Sequence, residues 1–81
     1  MQANWAMRQP VAFATNVRID EERLHVQLSD GREISAPLDW FPKLRNATHE
    51  QRSHWKLIGK GIGIHWDDLD EDLSVAGLLG A

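Results

Sequence analysis

The chemistry open to this sequence starts from its histidines and its acids. His49 and Glu50 stand as in a zinc-protease helix, a motif that needs a second histidine four residues after the first. The next histidine is His54, five residues on. At 100° per residue the two imidazoles would point about 140° apart on a helix, so they cannot share one metal from one face. Solvated helix polars are the simpler reading. A metal held by His54, His65 and the acids after them would need ligands converging from separate elements.

Those acids form the densest charge in the chain. Asp67, Asp68, Asp70, Glu71 and Asp72 are five of the twelve Asp and Glu residues. No Lys or Arg follows Lys60, so residues 61–81 carry five negative charges, whereas residues 1–60 carry nine positive and seven negative. A structural role would have Asp70, Glu71 or Asp72 cap the last helix or pair with Arg45, Arg52 or Lys56. A functional role would be an acidic docking patch for a basic protein partner. A Mg²⁺ or Ca²⁺ site fits less well, because the acids are consecutive and lack the glycine and terminal glutamate of a calcium loop.

Other catalytic arrangements are weak. Paired carboxylates do acid–base work only in a cleft that excludes water, and 81 residues leave little material for one. No nucleophile-elbow signature is present. Gly59-Lys60-Gly61-Ile62-Gly63 lacks the Gly-Lys-Ser/Thr ending of a phosphate loop and leads into a strand pattern. With no cysteine there is no disulfide, thiolate ligand or Cys nucleophile. No catalytic residue, cofactor or metal is assigned.

The aromatics point instead to packing and contact. Trp55 and Trp66 read as core or core-edge residues with indole N–H groups bonded to backbone, and with Arg52 they form the expected structural pairing. Trp40-Phe41 beside Pro42 reads as core or as an exposed ridge of the kind that anchors interfaces. The candidate partner-binding set is therefore Asp67, Asp68, Asp70, Glu71, Asp72, Trp40 and Phe41. Nucleic-acid binding would use Lys43, Arg45, Arg52 and Lys56, but an isoelectric point of about 5.7 and the absence of a basic stripe argue against it.

The elements that must position these residues follow from periodicity. Residues 1–10 lack it and read as an N-terminal arm in which Trp5 could dock; residues 11–81 read as one α+β domain. Val11–Pro37 suggests a three-stranded antiparallel meander. Leu24, Val26 and Leu28 alternate with His25 and Gln27, and Asp30-Gly31 is a type I′ hairpin signal before Ile34 and Ala36. Asp39–Leu44 suggests a short helix with Pro42 in its first turn. Thr48 and Gln51 form a capping box for a helix running from His49 to about Lys56, with Gly59 near its C-cap. A later strand covers Gly59–Trp66, with Ile62, Ile64 and Trp66 on one face. Gly61, Gly63 and His65 take the other face, where the glycines imply a close approach. Asp67–Asp72 reads as an acidic turn, and Ser74 as the cap of a last helix, Val75–Leu79, with Leu78 and Leu79 reaching the core. The sum is a small antiparallel sheet, three-stranded meander plus a later strand, with two or three short helices.

Several phrases occur together in a recognisable order. Asp30-Gly31-Arg32 precedes Pro37-Leu38-Asp39-Trp40-Phe41-Pro42-Lys43-Leu44, and Ala47-Thr48-His49-Glu50-Gln51-Arg52 leads to Trp55. Gly59-Lys60-Gly61-Ile62-Gly63-Ile64-His65-Trp66 then leads to Leu69-Asp70-Glu71-Asp72-Leu73-Ser74-Val75-Ala76-Gly77-Leu78-Leu79. From about Val17 to Gly80 the chain resembles the small bacterial domain-of-unknown-function family 2442. Asp67 stands where a proline usually follows the tryptophan of the His-Trp phrase, which would loosen the turn slightly. The resemblance implies a short α+β domain of bacteria and their mobile elements. Such domains occur alone, beside small partner genes in pairs resembling toxin–antitoxin modules, or ahead of a helix-turn-helix that is not expected here. It supplies no catalytic residues.

No apolar run approaches the ~20 residues of a membrane helix, and the first ten residues lack a signal-peptide core. A cytoplasmic protein is expected. The functional expectation is a non-enzymatic protein-interaction module, antitoxin-like or regulatory, with a basic protein partner and no direct nucleic acid or membrane contact. One alternative is an acidic inhibitor that blocks a nucleic-acid enzyme by mimicking phosphates. Another is a small metal-binding or enzymatic domain using His54, His65 and the acids. A free sheet edge is compatible with a homodimer.

Overall fold

Alternating apolar residues dictate the first layer. The computed structural model describes residues 12–80; the arm at 1–10, with Trp5, lies outside them. Strands β1 (Ala14–Ile19), β2 (Arg23–Leu28) and β3 (Glu33–Pro37) form an antiparallel sheet in the order β1-β2-β3. Val17, Leu24, Val26, Leu28 and Ala36 turn one face into the core. Ala14 pairs with Leu28 and Asn16 with Gln27, so Thr15 is a bulge.

The hairpin signal is right in place and wrong in type. Of Asp30 and Gly31, only Gly31 takes a positive φ, 93°. Leu28 accepts from Gly31 N–H at 3.1 Å and donates to Arg32 O at 2.8 Å. This is a three-residue loop closed by a left-handed glycine, not the type I′ turn, which needs positive φ at both central positions.

The helices are shorter than their sequence patterns. A 3₁₀ turn at Leu38–Trp40 precedes α1 (Pro42–Arg45), with Pro42 at the first helical position. The capping box of α2 (His49–Ser53) is complete: Thr48 Oγ1 accepts from Gln51 N–H, and Gln51 Oε1 accepts from Thr48 N–H. The helix ends at Ser53 and not near Lys56.

The largest difference is a second sheet. Trp55–Ile58 is β4, Gly63–Trp66 is β5 and Glu71–Ser74 is β6, antiparallel in the order β4-β5-β6. Thus Gly59 is not a helix C-cap but starts the turn between β4 and β5, and β5 starts at Gly63 rather than Gly59. Ile62 lies before the strand and is exposed instead of sharing the buried face of Ile64 and Trp66. The acidic turn is only a 3₁₀ turn at Asp67–Leu69 closed by Asp70, whose φ is 49°. The close approach expected at the glycines is present. A Cβ on Gly61 would lie 2.5 Å from Ala14 O, and one on Gly63 would lie 3.1 Å from Ile58 Cδ1.

Ser74 Oγ accepts from Gly77 N–H and caps α3 (Val75–Leu78). Val75 is the buried residue of this helix; Leu78 is half-buried, while Leu79 is exposed and does not reach the core. The core lies between the sheets, where Trp66, Leu24, Leu38, Leu44, Ile64 and Val26 are fully buried.

Candidate functional site

Strand pairing assembles the centre of the charged part of the site. On the outer face of the second sheet, Lys56, His65 and Asp72 are cross-strand partners. His65 Nδ1 bonds to Asp72 Oδ1, and Nε2 lies 2.7 Å from Asp67 Oδ1. Asp67 also faces Lys56 Nζ at 3.4 Å. Ionised carboxylates only accept, so a ring bonded to one at each nitrogen donates from both and is the imidazolium. The Asp72 bond, helped by Asp67, raises the His65 pKa above its ordinary 6.5. The Lys56 bond, with His65 behind it, lowers that of Asp67 below 3.8.

Next to this row, His54 Nδ1 lies 2.8 Å from Asp68 Oδ2, and that bond raises the histidine's pKa. The five acids therefore divide. Asp67, Asp68 and Asp72 have lysine or histidine partners, whereas the carboxylates of Asp70 and Glu71 have no ion pair among the described residues. None of them caps α3. Arg45 pairs with Asp39 at 3.2 Å and donates to Glu21 O. Arg52 donates to Leu44 O and Arg45 O, closing the end of α1, so only Lys56 of the three expected bases meets the acids. Lys43 Nζ holds the turn through Asp70 O at 3.0 Å. The histidines do not converge with the acids on one ligand set, and no group of three or more metal-ligating side chains is suitably arranged among the described residues.

Arg52 meets the tryptophan pair through its backbone carbonyl, not through its charge. Trp66 is opposite Trp55 in the β4–β5 register, and its indole N–H donates to Arg52 O at 3.1 Å. Trp66 is fully buried and Trp55 half-buried.

The aromatic part of the site joins the acidic part. Trp40 is 70% exposed, while Phe41 packs partly against the core. They line a groove of about 440 Å³ together with Asp72, Leu73 and Ser74 of β6 and Leu78 of α3. The 3₁₀ turn before Pro42 presents Trp40 outward, because Leu38 fills the buried position of that turn. Asp67, Asp68 and Asp70 lie in the turn leading to β6 and do not line the groove.

The sequence reading missed a second histidine set among carboxylates, hydrogen-bonded at Nε2 but not at Nδ1. His25, on the central strand of the first sheet, lies between Asp20 Oδ2 at 2.8 Å and Glu33 Oε2 at 3.3 Å, with Arg18 at 3.7 Å from Glu33. Asp20 also accepts from the N–H groups of Glu22 and Arg23; these bonds, the Glu22 one first, hold its pKa far below the usual carboxylate range. The available signal was Asp20, His25 and Glu33 on the polar phase of a two-residue period.

Two three-stranded antiparallel sheets with three short helices define a small α+β domain whose exposed side carries a histidine–carboxylate row and an aromatic groove. The chain belongs to the family described as a protein of unknown function, DUF2442, whose model matches residues 14–81. A protein of unknown function from Rhodospirillum rubrum has a similar crystal structure: 32% identity, TM-score 0.75, with 88% of each chain covered. The solution structure of the uncharacterized protein CV0863 from Chromobacterium violaceum is also similar, with 26% identity and a TM-score of 0.71, over 95% of this chain and 72% of that one. No curated protein matches. Among the described residues, no helix is long and apolar enough to cross a membrane.

Proposed function

We propose that this chain is a non-enzymatic protein-interaction module of the cytoplasm, the antitoxin-like or regulatory member of a bacterial or mobile-element gene pair. One observation carries the reading: the groove gathers an exposed tryptophan, Phe41, Leu73 and Leu78 beside Asp72. An aromatic anchor in a concave apolar patch with a charged rim is the usual make-up of an interface hot spot. The exposed acids favour a basic partner. The four bases considered for nucleic acid support the same choice, since Lys43, Arg45, Arg52 and Lys56 are each engaged within the chain. Phosphate mimicry ranks second, because three of the five clustered carboxylates already face a lysine or a histidine.

The test is purification of the tagged chain from its host after nuclease treatment, with the partner identified by mass spectrometry. A single small basic protein, held in stoichiometric amount and lost with Trp40→Ala, is the expected result. A nucleic-acid enzyme in its place would establish the inhibitor reading, and a chain that stays alone would end both.

A further inference from the structure

The groove has a property that its lining side chains do not convey. Successive side chains of a strand point to opposite faces of its sheet. Yet Asp72, Leu73 and Ser74, consecutive in β6, all line the one groove. A groove that meets three consecutive strand residues runs along the strand's edge, where the backbone is presented. β6 is an outer strand, paired with β5 on one side only. Ala36 of β3, the outer strand of the other sheet, lines the same groove. The sheets touch through β1 and β4, and neither β3 nor β6 has a hydrogen-bonded strand on its outer side among the described residues.

We infer that the free edge of β6 takes up an extended, lysine- or arginine-bearing segment of a partner protein as an added strand, one of its apolar side chains resting against Trp40, Phe41 and Leu78. This rests on the interaction role proposed above and specifies its mode. Strand addition gains affinity from backbone hydrogen bonds and specificity from pockets for alternate side chains. Asp72 offers its carboxylate, shared with His65, and Asp70 and Glu71 precede it without ion pairs among the described residues. Lys43 is the nearby cation, and its Nζ is bonded to Asp70 O. A second copy fits worse. Two β6 strands paired antiparallel over their length would set Glu71 and Asp72 of one chain opposite Ser74 and Leu73 of the other, so a second copy brings no cation to the acids.

The experiment titrates the full chain with a synthetic hexapeptide alternating lysine and valine, followed by amide NMR. The controls are the same peptide with glutamate for lysine, and two versions N-methylated at alternate residues, each removing the donors from one edge. Shifts confined to Asp72–Ser74, Trp40, Phe41 and α3 are expected, and one N-methylated version should bind roughly tenfold or more weakly, as two or three lost backbone bonds require. Trp40→Ala, at a position that is 70% exposed, should weaken binding by a similar factor. Equal binding of both N-methylated peptides would overturn strand addition while leaving the interaction role standing. Equal binding of the glutamate peptide would overturn the basic partner. No peptide binding, or a dimer in sedimentation whose interface is β6, would overturn the inference; the host purification decides the wider role separately.

Discussion

His65 shows how much one residue's setting matters. Its ring is held between Asp67 and Asp72, and its pKa is raised above 6.5. A histidine with a raised folded-state pKa binds its proton more tightly in the folded chain, so it stabilises the fold fully below 6.5, and this contribution disappears as pH rises through the folded value. Asp67 runs the other way: its contribution is present above 3.8 and is lost as pH falls through its lowered folded value. The urea midpoint should therefore hold between these limits and decline on the alkaline side. His65→Gln should flatten the alkaline decline, leaving the part due to His54, whose pKa is also raised. An unchanged slope in that variant would show that the Asp67–His65–Asp72 contacts do not form in solution. The buried indole of Trp66 makes a separate prediction. Trp66→Phe leaves Arg52 O without its donor, a loss of about 1–3 kcal/mol, measurable by urea denaturation.

Among the elements, the turns decide where the second sheet begins. Gly31 and Gly61 both take positive φ, 93° and 103°, but they differ in surroundings. A Cβ at Gly31 meets nothing within 4 Å, whereas one at Gly61 would meet Ala14 O at 2.5 Å. Gly31→Ala should cost about 1 kcal/mol from backbone strain alone. Gly61→Ala should cost clearly more, because β1 must move away from the turn; thermal melts of the two variants side by side give the comparison. The meander was legible in the sequence because a two-residue period and a turn glycine agree over more than twenty positions. The second sheet was not. β4 is four residues long, mostly exposed, and follows a capped helix whose start signal says nothing about its end. β6 is Glu-Asp-Leu-Ser, poor in β-formers, and becomes a strand because β5 offers it a partner.

For the whole molecule, the acids and aromatics picked out from sequence become a site only through folding. Trp40-Phe41 and Asp72–Leu78 are far apart in the chain, and no local pattern says that they line one groove. The division of the five acids was equally hidden, since the Lys56–His65–Asp72 row depends on two strands whose existence was not legible. The division makes a kinetic prediction. Against the basic partner proposed above, an Asp70→Lys/Glu71→Lys variant should associate more slowly and lose much of the salt dependence of association, whereas Trp40→Ala should mainly speed dissociation. Stopped-flow mixing at low and high salt separates the two; equal effects of both variants on association would mean that the acids and the aromatic do not act as steering and anchor.

The contrast between Trp40 and Trp66 has an optical consequence. An indole in water emits to the red of one packed in a core, and dissolved iodide quenches only the first. A molecule settling in the groove would cover Trp40, moving its emission to the blue and shielding it from iodide. Unfolding would release Trp66 and move its emission to the red. Trp40 and Trp66 thus report occupancy and denaturation with opposite changes of colour, over the emission of Trp5 and Trp55 and with no label attached.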